Sequence, residues 1–544
     1  MKEDLAELLF PNLPFTVEEI EDKYPKRNLK DGEMVTRFGP SPTGFMHVGN
    51  LYGAFIDSLL AKQSKGTFFL RIEDTDHKRE VDGAVELILS SLEYFKIIPT
   101  EGYSYGGEYG PYKQSERKYI YQAYAKKLVM EGKAYPCFMS EEELKEIREG
   151  QELRKETIGI YGHYAVDRDL SFDEVKLHLK NKDSYVIRMK SPGEMDKEVI
   201  LHDLIKKDII LPENIIDEVI LKKDGIPTYH FAHVIDDHLM GTTHVLRGDE
   251  WVPSFPKHLQ LCQLLGFKPC KYAHHAPLTK KEDGKIRKLS KRKDPEFSVS
   301  YYKEQGIPVE AVRLYLATLA NTNFEEWYLQ NKDKTIEDFT FSFSKMPTGG
   351  TLFDMEKLSN ISKTYFSRLK AEVIYNDALK YFIEYDHDFY NLMINHKDKL
   401  IAFLNIERDG KRPRKDIETY PDIKKESSYI FDELFYENRD ITYQNITDEV
   451  DFDLLREYIN IYHDYDSESE WYDDIKKLAV KFGYSSSVKE YKENPALYKG
   501  HVGDVCEMIR HILTGRVKTP NLYSLLKIIG IDEFEKRLDF YLKH

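Results

Sequence analysis

The stretch MVTRFGPSPTGFMHVGN, residues 34–50, decides the fold. Met34, Val35, Thr36 and Phe38 have strand character, and Pro40, Pro42 and Gly44 break any regular element directly after them. Beyond the turn, Leu51, Ala54, Phe55, Ser58 and Leu59 recur at helical spacing, so a helix begins near Gly49 and buries that face. The turn therefore delivers a helix N-terminus, where unpaired amides and the positive dipole end favour a phosphate. Gly49 lets a phosphate approach the backbone closely, and His47 just ahead of it can donate to a phosphoryl oxygen. An ordinary strand-to-helix connection has the same pattern, so a second stretch must decide the chemistry.

Working outward, TFFLRI (residues 67–72) is a second apolar strand, ending in Glu73, Asp74, Thr75 and Asp76. Strand, helix and strand with polar groups at the carboxyl end is the layout of an open parallel sheet, where ligands bind. Glu73 can hold an ammonium group there, whereas Asp74 and Asp76 are expected to cap the next helix. Residues 1–30 carry Leu5, Leu8, Leu9 and Phe10, then Pro11, Pro14 and Pro25, and predict a short helix and a tether. Further on, Ile120, Ala123, Tyr124 and Leu128 mark a helix closed by Gly132, and Ser140 with Glu142 and Glu143 caps another. Residues 164–223 are mixed and strand-containing, with a hairpin turn at Asp224-Gly225, as expected of a domain inserted into the sheet.

Residues 227–251, PTYHFAHVIDDHLMGTTHVLRGDEW, return to buried-strand character. His230, His233, Asp236, Asp237 and His238 suggest metal ligands, but their spacing matches no common zinc site. Arg247 near a strand end suits either bidentate binding of a carboxylate or a structural salt bridge.

At 544 residues and 41% hydrophobic content, without a long apolar run, the chain reads as soluble and globular with three or four domains. Its acidic first residues lack a signal region, and Cys137, Cys262, Cys270 and Cys506 are scattered without paired spacing, so a cytoplasmic protein is expected. The net charge of −15 does not suggest a polyanion partner, yet KKEDGKIRKLSKRK (residues 280–293) concentrates eight Lys and Arg. Within it, Lys288, Ser290, Lys291 and Arg292 follow a Gly284 hinge, and lysines on a mobile loop suit developing phosphate charge.

PSPTGFMHVGN paired with KLSKR resembles the HIGH and KMSKS motifs of class I aminoacyl-tRNA synthetases. RFGPSPTG, RIEDTD, PTYHFAHVIDDH and HVLRGDEW narrow the resemblance to glutamyl-tRNA synthetases of bacterial type, and FDMEKL and LTGRVKTPNLYSLL extend it towards the C-terminus. The resemblance implies an α/β protein with a Rossmann-like parallel-sheet catalytic domain at 31–113 and 233–281. It also implies an inserted acceptor-end-binding domain at 114–232, a stem-contact segment at 282–365 and an all-helical anticodon-binding domain at 366–544, behind an N-terminal extension at 1–30. By motif, His47, Gly49, Lys288 and Lys291 are the catalytic positions, and ATP falls to His47, Gly49, Glu250 and Lys291. Glutamate falls to Arg37, Ser41, Glu73, Tyr229, His233 and Arg247. ATP is expected as a substrate with Mg²⁺, tRNA(Glu) and possibly tRNA(Gln) as partners, and a monomer as the working form.

The chain departs from the family pattern at several positions. The first motif is HVGN, Gly39 replaces a usual alanine, and His233 stands where asparagine is common. Cys137 lacks companions for the zinc site that many relatives carry, so neither a structural zinc nor any other resident metal is expected. A glutaminyl-specific ligase is the same-class rival, disfavoured by PSPTG and the helical C-terminus; a catalytically inactive RNA-binding paralogue is the other.

Overall fold

The computed structural model describes residues 2–290, 293–410, 412–438, 446 and 449–543. It forms two compact units, Met1–Tyr301 with Arg313–Asp354, and Tyr302–Val312 with Met355–His544.

The first thirty residues are not a tether. They form two helices, α1 (Lys2–Leu9) and α2 (Val17–Lys23), whose Ala6, Leu9, Val17, Ile20 and Tyr24 join the main core of the first unit. Arg27 then clamps Glu101 through two bonds of 2.8 and 2.7 Å and donates to the Met240 carbonyl.

Strands β1 (Val35–Phe38) and β2 (Thr67–Leu70) pair in parallel, linked by the crossover helix α3 (Val48–Ser64). All four β1 residues are buried, as in a parallel sheet covered on both faces. After β2 comes α4 (Ala84–Tyr94), entered through Gly83 at φ +78°, and then β3 (Glu101–Gly102), parallel to β2. Neither aspartate caps that helix: the Asp74 carboxylate accepts from the Ser115 amide at 2.8 Å, and Asp76 pairs with Arg79. Both acids serve turns that lie nearer in space than α4.

Helix α5 (Lys118–Glu131) ends at Gly132 in the left-handed conformation, as its sequence predicts. The inserted segment follows. Strand β4 (Ala134–Cys137) leads to α6 (Glu141–Arg154), capped by Ser140, and to α7 (Phe172–Lys180). Strand β5 (Val186–Met189) is antiparallel to β4; β6 (Glu198–Asp203) and β7 (Lys207–Pro212) form a hairpin; β8 (Val219–Leu221) completes the small sheet beside β5.

Tyr229–Leu239 is a helix, α8, where the sequence suggested a strand. Phe231, Val234, Ile235 and Leu239 have helical spacing, but buried polar residues between them, His233, Asp236 and Asp237, obscure the period. Strand β9 (His244–Gly248) follows, then α9 (Phe255–Leu265) and β10 (Lys271–His275), parallel to β9. The Thr243 amide donates to the Val35 carbonyl and the Val35 amide to the Thr243 hydroxyl, so β9 starts beside β1. Beyond them β11 (Leu278–Glu282) and β12 (Lys285–Lys288) form an antiparallel hairpin, with Gly284 at φ +77° in its turn and not at a hinge. Strand β13 (Thr351–Leu352) adds to β11 in parallel.

The second unit is helical. Its core gathers Phe366, Phe382, Phe403, Leu454, Tyr458, Ile475, Ile509, Leu525 and Phe534 among others. Ile475, Leu478 and Ala479 lie on the helix Glu468–Lys481, and Gly483 follows at φ +85°. Arg537, fully buried, donates to the Tyr429 carbonyl at 2.9 Å and to Glu533 at 3.1 Å. Among the described residues no helix is long and apolar enough to cross a membrane.

Candidate active site

The first signature closes on itself at the start of α3. His47 is the N-cap: its Nδ1 accepts from the Asn50 amide at 3.2 Å, and Asn50 Oδ1 lies 3.5 Å from the His47 amide. With Nδ1 an acceptor, the neutral imidazole carries its proton on Nε2. A Cβ at Gly49 would sit 3.1 Å from the His47 ring, so a side chain there would disturb the cap. The ring stacks on Phe297 at 4.6 Å, and the backbone bridges Ser298. Hence the segment that follows the basic stretch packs onto the first signature.

The carboxyl ends of β1, β2 and β9, with α8, enclose a buried ionic cluster. Arg71, wholly inaccessible, donates to Asp237 Oδ1 at 2.7 Å and to Glu73 Oε1 at 2.8 Å. Asp236 accepts from Arg117 at 2.8 Å, Gln114 at 2.9 Å and the Tyr121 hydroxyl at 2.8 Å. Arg37 lies alongside, its Nε 3.5 Å from Asp237 Oδ1 yet without a hydrogen-bond partner although buried. Burial pushes the Glu73 carboxyl up against the pull of Arg71 and Arg37, and it raises Asp57 on α3 well above the usual carboxylate range.

An added Cβ at Gly39 would overlap the Glu73 carboxylate, so Glu73 occupies the space of an alanine methyl. The exposed Ser41 donates its hydroxyl to the Glu73 carbonyl at 2.9 Å. On α8, the Tyr229 ring lies 4.6 Å from Trp251 and is stacked 5.7 Å from His233; burial pushes its phenol up to about 12. His233 is fully buried, with Nδ1 3.1 Å from Asp237 Oδ2 and Nε2 3.3 Å from the Tyr272 hydroxyl. Burial beside Arg37 and Arg247 holds its imidazole neutral.

Arg247, on β9, differs from the other three arginines. Arg71 and Arg117 bond carboxylates, and Arg37 sits beside one; among the described residues Arg247 has no acid within ion-pair distance. The cluster thus holds four guanidiniums, Arg37, Arg71, Arg117 and Arg247, against three acids, Glu73, Asp236 and Asp237. That imbalance suits a ligand carboxylate.

The second signature is stapled at its stem. Arg287 donates to both Asp294 oxygens at 2.6 and 2.8 Å, holding that carboxyl far below its usual range, and Lys280 pairs with Glu296. Leu289 is buried, while Lys288 is largely exposed with its Nζ 3.9 Å from Glu250 Oε2. Lys291 and Arg292 lie outside the described residues. An added Cβ at Gly248 would overlap the Glu250 carboxylate. His275, at the end of β10, faces Tyr52 edge-on at 5.3 Å.

Arg37, Glu73, Tyr229, His233 and Arg247 therefore converge, with Ser41 at the rim, and His47 with Gly49 stands at the far end of the same turn. Sequence reading misses Arg71, Arg117, His258, His274 and His275. Arg71 alone carries a signal, a charge inside the apolar strand TFFLRI. The conceivable metal set on α8 is dispersed: Asp236 serves Arg117, and His238 turns to Glu21 at 2.9 Å. No group of three or more His, Cys, Asp or Glu able to hold a metal occurs among the described residues.

Residues 33–360 match the catalytic domain of class I tRNA synthetases (E and Q), and residues 411–542 an anticodon binding domain. The chain is 47% identical to a glutamate–tRNA ligase of Acetivibrio thermocellus over 98% of both chains. It is 44% identical to that of Clostridium perfringens strain 13, over 98% of this chain and 100% of the relative. Among solved structures, a glutamate tRNA ligase from Elizabethkingia meningosepticum, in complex with its amino acid, aligns with a TM-score of 0.77 at 30% identity, covering 94% of this chain and 99% of that one. By sequence, by fold and by the paired signatures around a parallel sheet, the chain belongs to the class I tRNA synthetases of the E and Q family.

Proposed function

We propose that the chain joins L-glutamate to tRNA(Glu) in two steps. The glutamate α-carboxylate attacks the α-phosphorus of ATP in line and pyrophosphate leaves; the acyl group of the adenylate then passes to the 2′-hydroxyl of the tRNA terminal adenosine, releasing AMP. The observation that carries this reading is the surplus guanidinium. Glutamate offers two carboxylates and one ammonium, and the pocket offers Arg37 and Arg247 with Glu73 beside them. A carboxylate desolvated against Arg247 favours glutamate over the uncharged amide of glutamine, because the amide leaves a buried charge unmatched.

ATP phosphates lie against the start of α3, where His47 Nε2 and the first amides donate, and Gly49 keeps the approach open. Lys288 and Lys291 meet the charge that develops on the leaving pyrophosphate, and Glu250 borders the nucleotide. Mg²⁺ enters on the ATP and supplies charge neutralisation to its phosphates. The work of the chain's own residues is positioning and electrostatics, with no covalent intermediate. Tyr229, His233 and Ser41 complete the amino-acid pocket.

The proposal extends to domain roles: acceptor-end binding at 114–232, stem contact at 282–365, anticodon binding at 366–544, and a monomer at work in the cytoplasm. Aminoacylation with purified tRNA(Glu) and tRNA(Gln) tests it. Glutamate should be esterified to tRNA(Glu); charging with glutamine alone, or no charging of either tRNA, would overturn it.

A further inference from the structure

Arg247 is held in a way that a structural salt bridge does not require. Its Nε donates to His274 Nε2 at 2.9 Å and its Nη1 to His258 Nδ1 at 3.1 Å. Arginine has no acceptor and stays charged, so both imidazole nitrogens must be unprotonated. The tautomers follow. His274 carries its proton on Nδ1, which donates to Asp203 Oδ2 at 2.6 Å, and the His274 amide donates to the same oxygen at 3.0 Å. His258 carries its proton on Nε2 and donates to His230 Nδ1 at 2.9 Å. A chain of aimed hydrogen bonds thus runs Asp203–His274–Arg247–His258–His230.

Each link is fixed from behind. Asp203, at the end of β6, is itself clamped by the Ile205 and Lys206 amides at 2.9 and 2.7 Å. His258, on α9, and His274, on β10, are fully inaccessible, and burial keeps both rings from protonating. The Tyr272 ring lies under the guanidinium at 4.8 Å. Two neutral acceptors fix the plane of the guanidinium without cancelling its charge. A carboxylate in either place would orient Arg247 equally well and would neutralise it.

Building on the glutamate reading above, we propose that His258 and His274, the latter braced by Asp203, are positioning residues. They aim Arg247 at a substrate carboxylate while leaving its full charge for that carboxylate.

The test uses the full chain in ATP–pyrophosphate exchange with tRNA present, titrating glutamate and ATP separately. An Asn oxygen takes the place of Nδ1 and a Gln oxygen that of Nε2, so His258→Asn and His274→Gln keep the acceptor that His258→Leu and His274→Leu remove. Each Leu variant should raise KM for glutamate about tenfold or more, the loss expected for a hydrogen bond to a charged group, with KM for ATP within about twofold. The Asn and Gln variants should recover most of the loss. Isothermal titration of glutamate into each variant with tRNA and without ATP gives a second reading independent of turnover, and thermal melting reports folding.

Unchanged KM for glutamate in the Leu variants, or equal rises for glutamate and ATP, would overturn the proposal. So would folded Asn and Gln variants that bind glutamate no better than the Leu ones. If the Leu variants do not fold, glutamate affinity in the Asn and Gln variants within about threefold of wild type supports the proposal, and a larger loss overturns it. A wild-type chain that neither binds nor activates glutamate would instead sink the ligase reading on which the proposal rests.

Discussion

The amino-acid pocket and the basic hairpin, both rich in cationic groups, are built by opposite means. In the pocket Arg71 has no accessible side-chain surface and its partners are fixed at 2.7 and 2.8 Å; in the hairpin the Lys288 side chain is 64% exposed and stands 3.9 Å from its nearest acid. Buried charges are little screened by salt, and their geometry is set before a ligand arrives; exposed ones are screened and adjust when it does. The difference matches the tasks proposed. Telling one small amino acid from another needs a rigid field, whereas a leaving pyrophosphate needs charge that can follow it.

The sharpest way to break the contrast is to empty the centre of the pocket. Arg71→Met should leave Glu73 and Asp237 without their shared partner and cost about 3–5 kcal/mol of stability, read as a lowered melting temperature in the unit Met1–Tyr301 with Arg313–Asp354. Little change would mean that the acids find other partners and that the pocket is not preorganised. Next in size, Arg247→Ala should lower kcat/KM for glutamate about 100-fold, roughly 2.7 kcal/mol, while KM for ATP stays within about twofold. Equal damage to both substrates would make Arg247 a structural group.

In the hairpin region, Lys291→Ala should reduce glutamate-dependent exchange at least about tenfold, roughly 1.4 kcal/mol of barrier, with the affinity for glutamate unaltered. Unchanged exchange would remove the loop from the chemistry. The smallest effect is expected at Gly39→Ala. Its methyl group displaces the Glu73 carboxylate, the flexible end of a side chain, so KM for glutamate should rise about threefold, under 1 kcal/mol; an unchanged or lower KM would mean that Glu73 does not face the ammonium.

How much of this is legible in the sequence depends on where the information lies along the chain. The turn at residues 34–50 can be read because strand, breakers and helix are contiguous, and the structure begins α3 at Val48, one residue from the expected start. The C-terminal helices are legible for a similar reason, Ile475, Leu478 and Ala479 running to the break at Gly483. Helix α8 is not, because ionic burial puts polar residues on its inward faces and breaks the apolar period. The first thirty residues read as a tether because their prolines are local signals, while their packing partner α5 lies a hundred residues on. The ionic cluster itself is beyond sequence reading: Arg71 meets Asp237, and Arg117 meets Asp236, only through the fold. Motif resemblance names Arg37, Glu73 and Arg247 but not the groups that hold them.

The central claim is that a buried, unneutralised guanidinium selects the charged side chain of glutamate for adenylation. ATP–pyrophosphate exchange by the wild-type chain, with tRNA present and either glutamate or glutamine supplied, tests it most directly. The account predicts exchange with glutamate and none above background with glutamine; exchange supported equally by glutamine, or by neither amino acid, would contradict it.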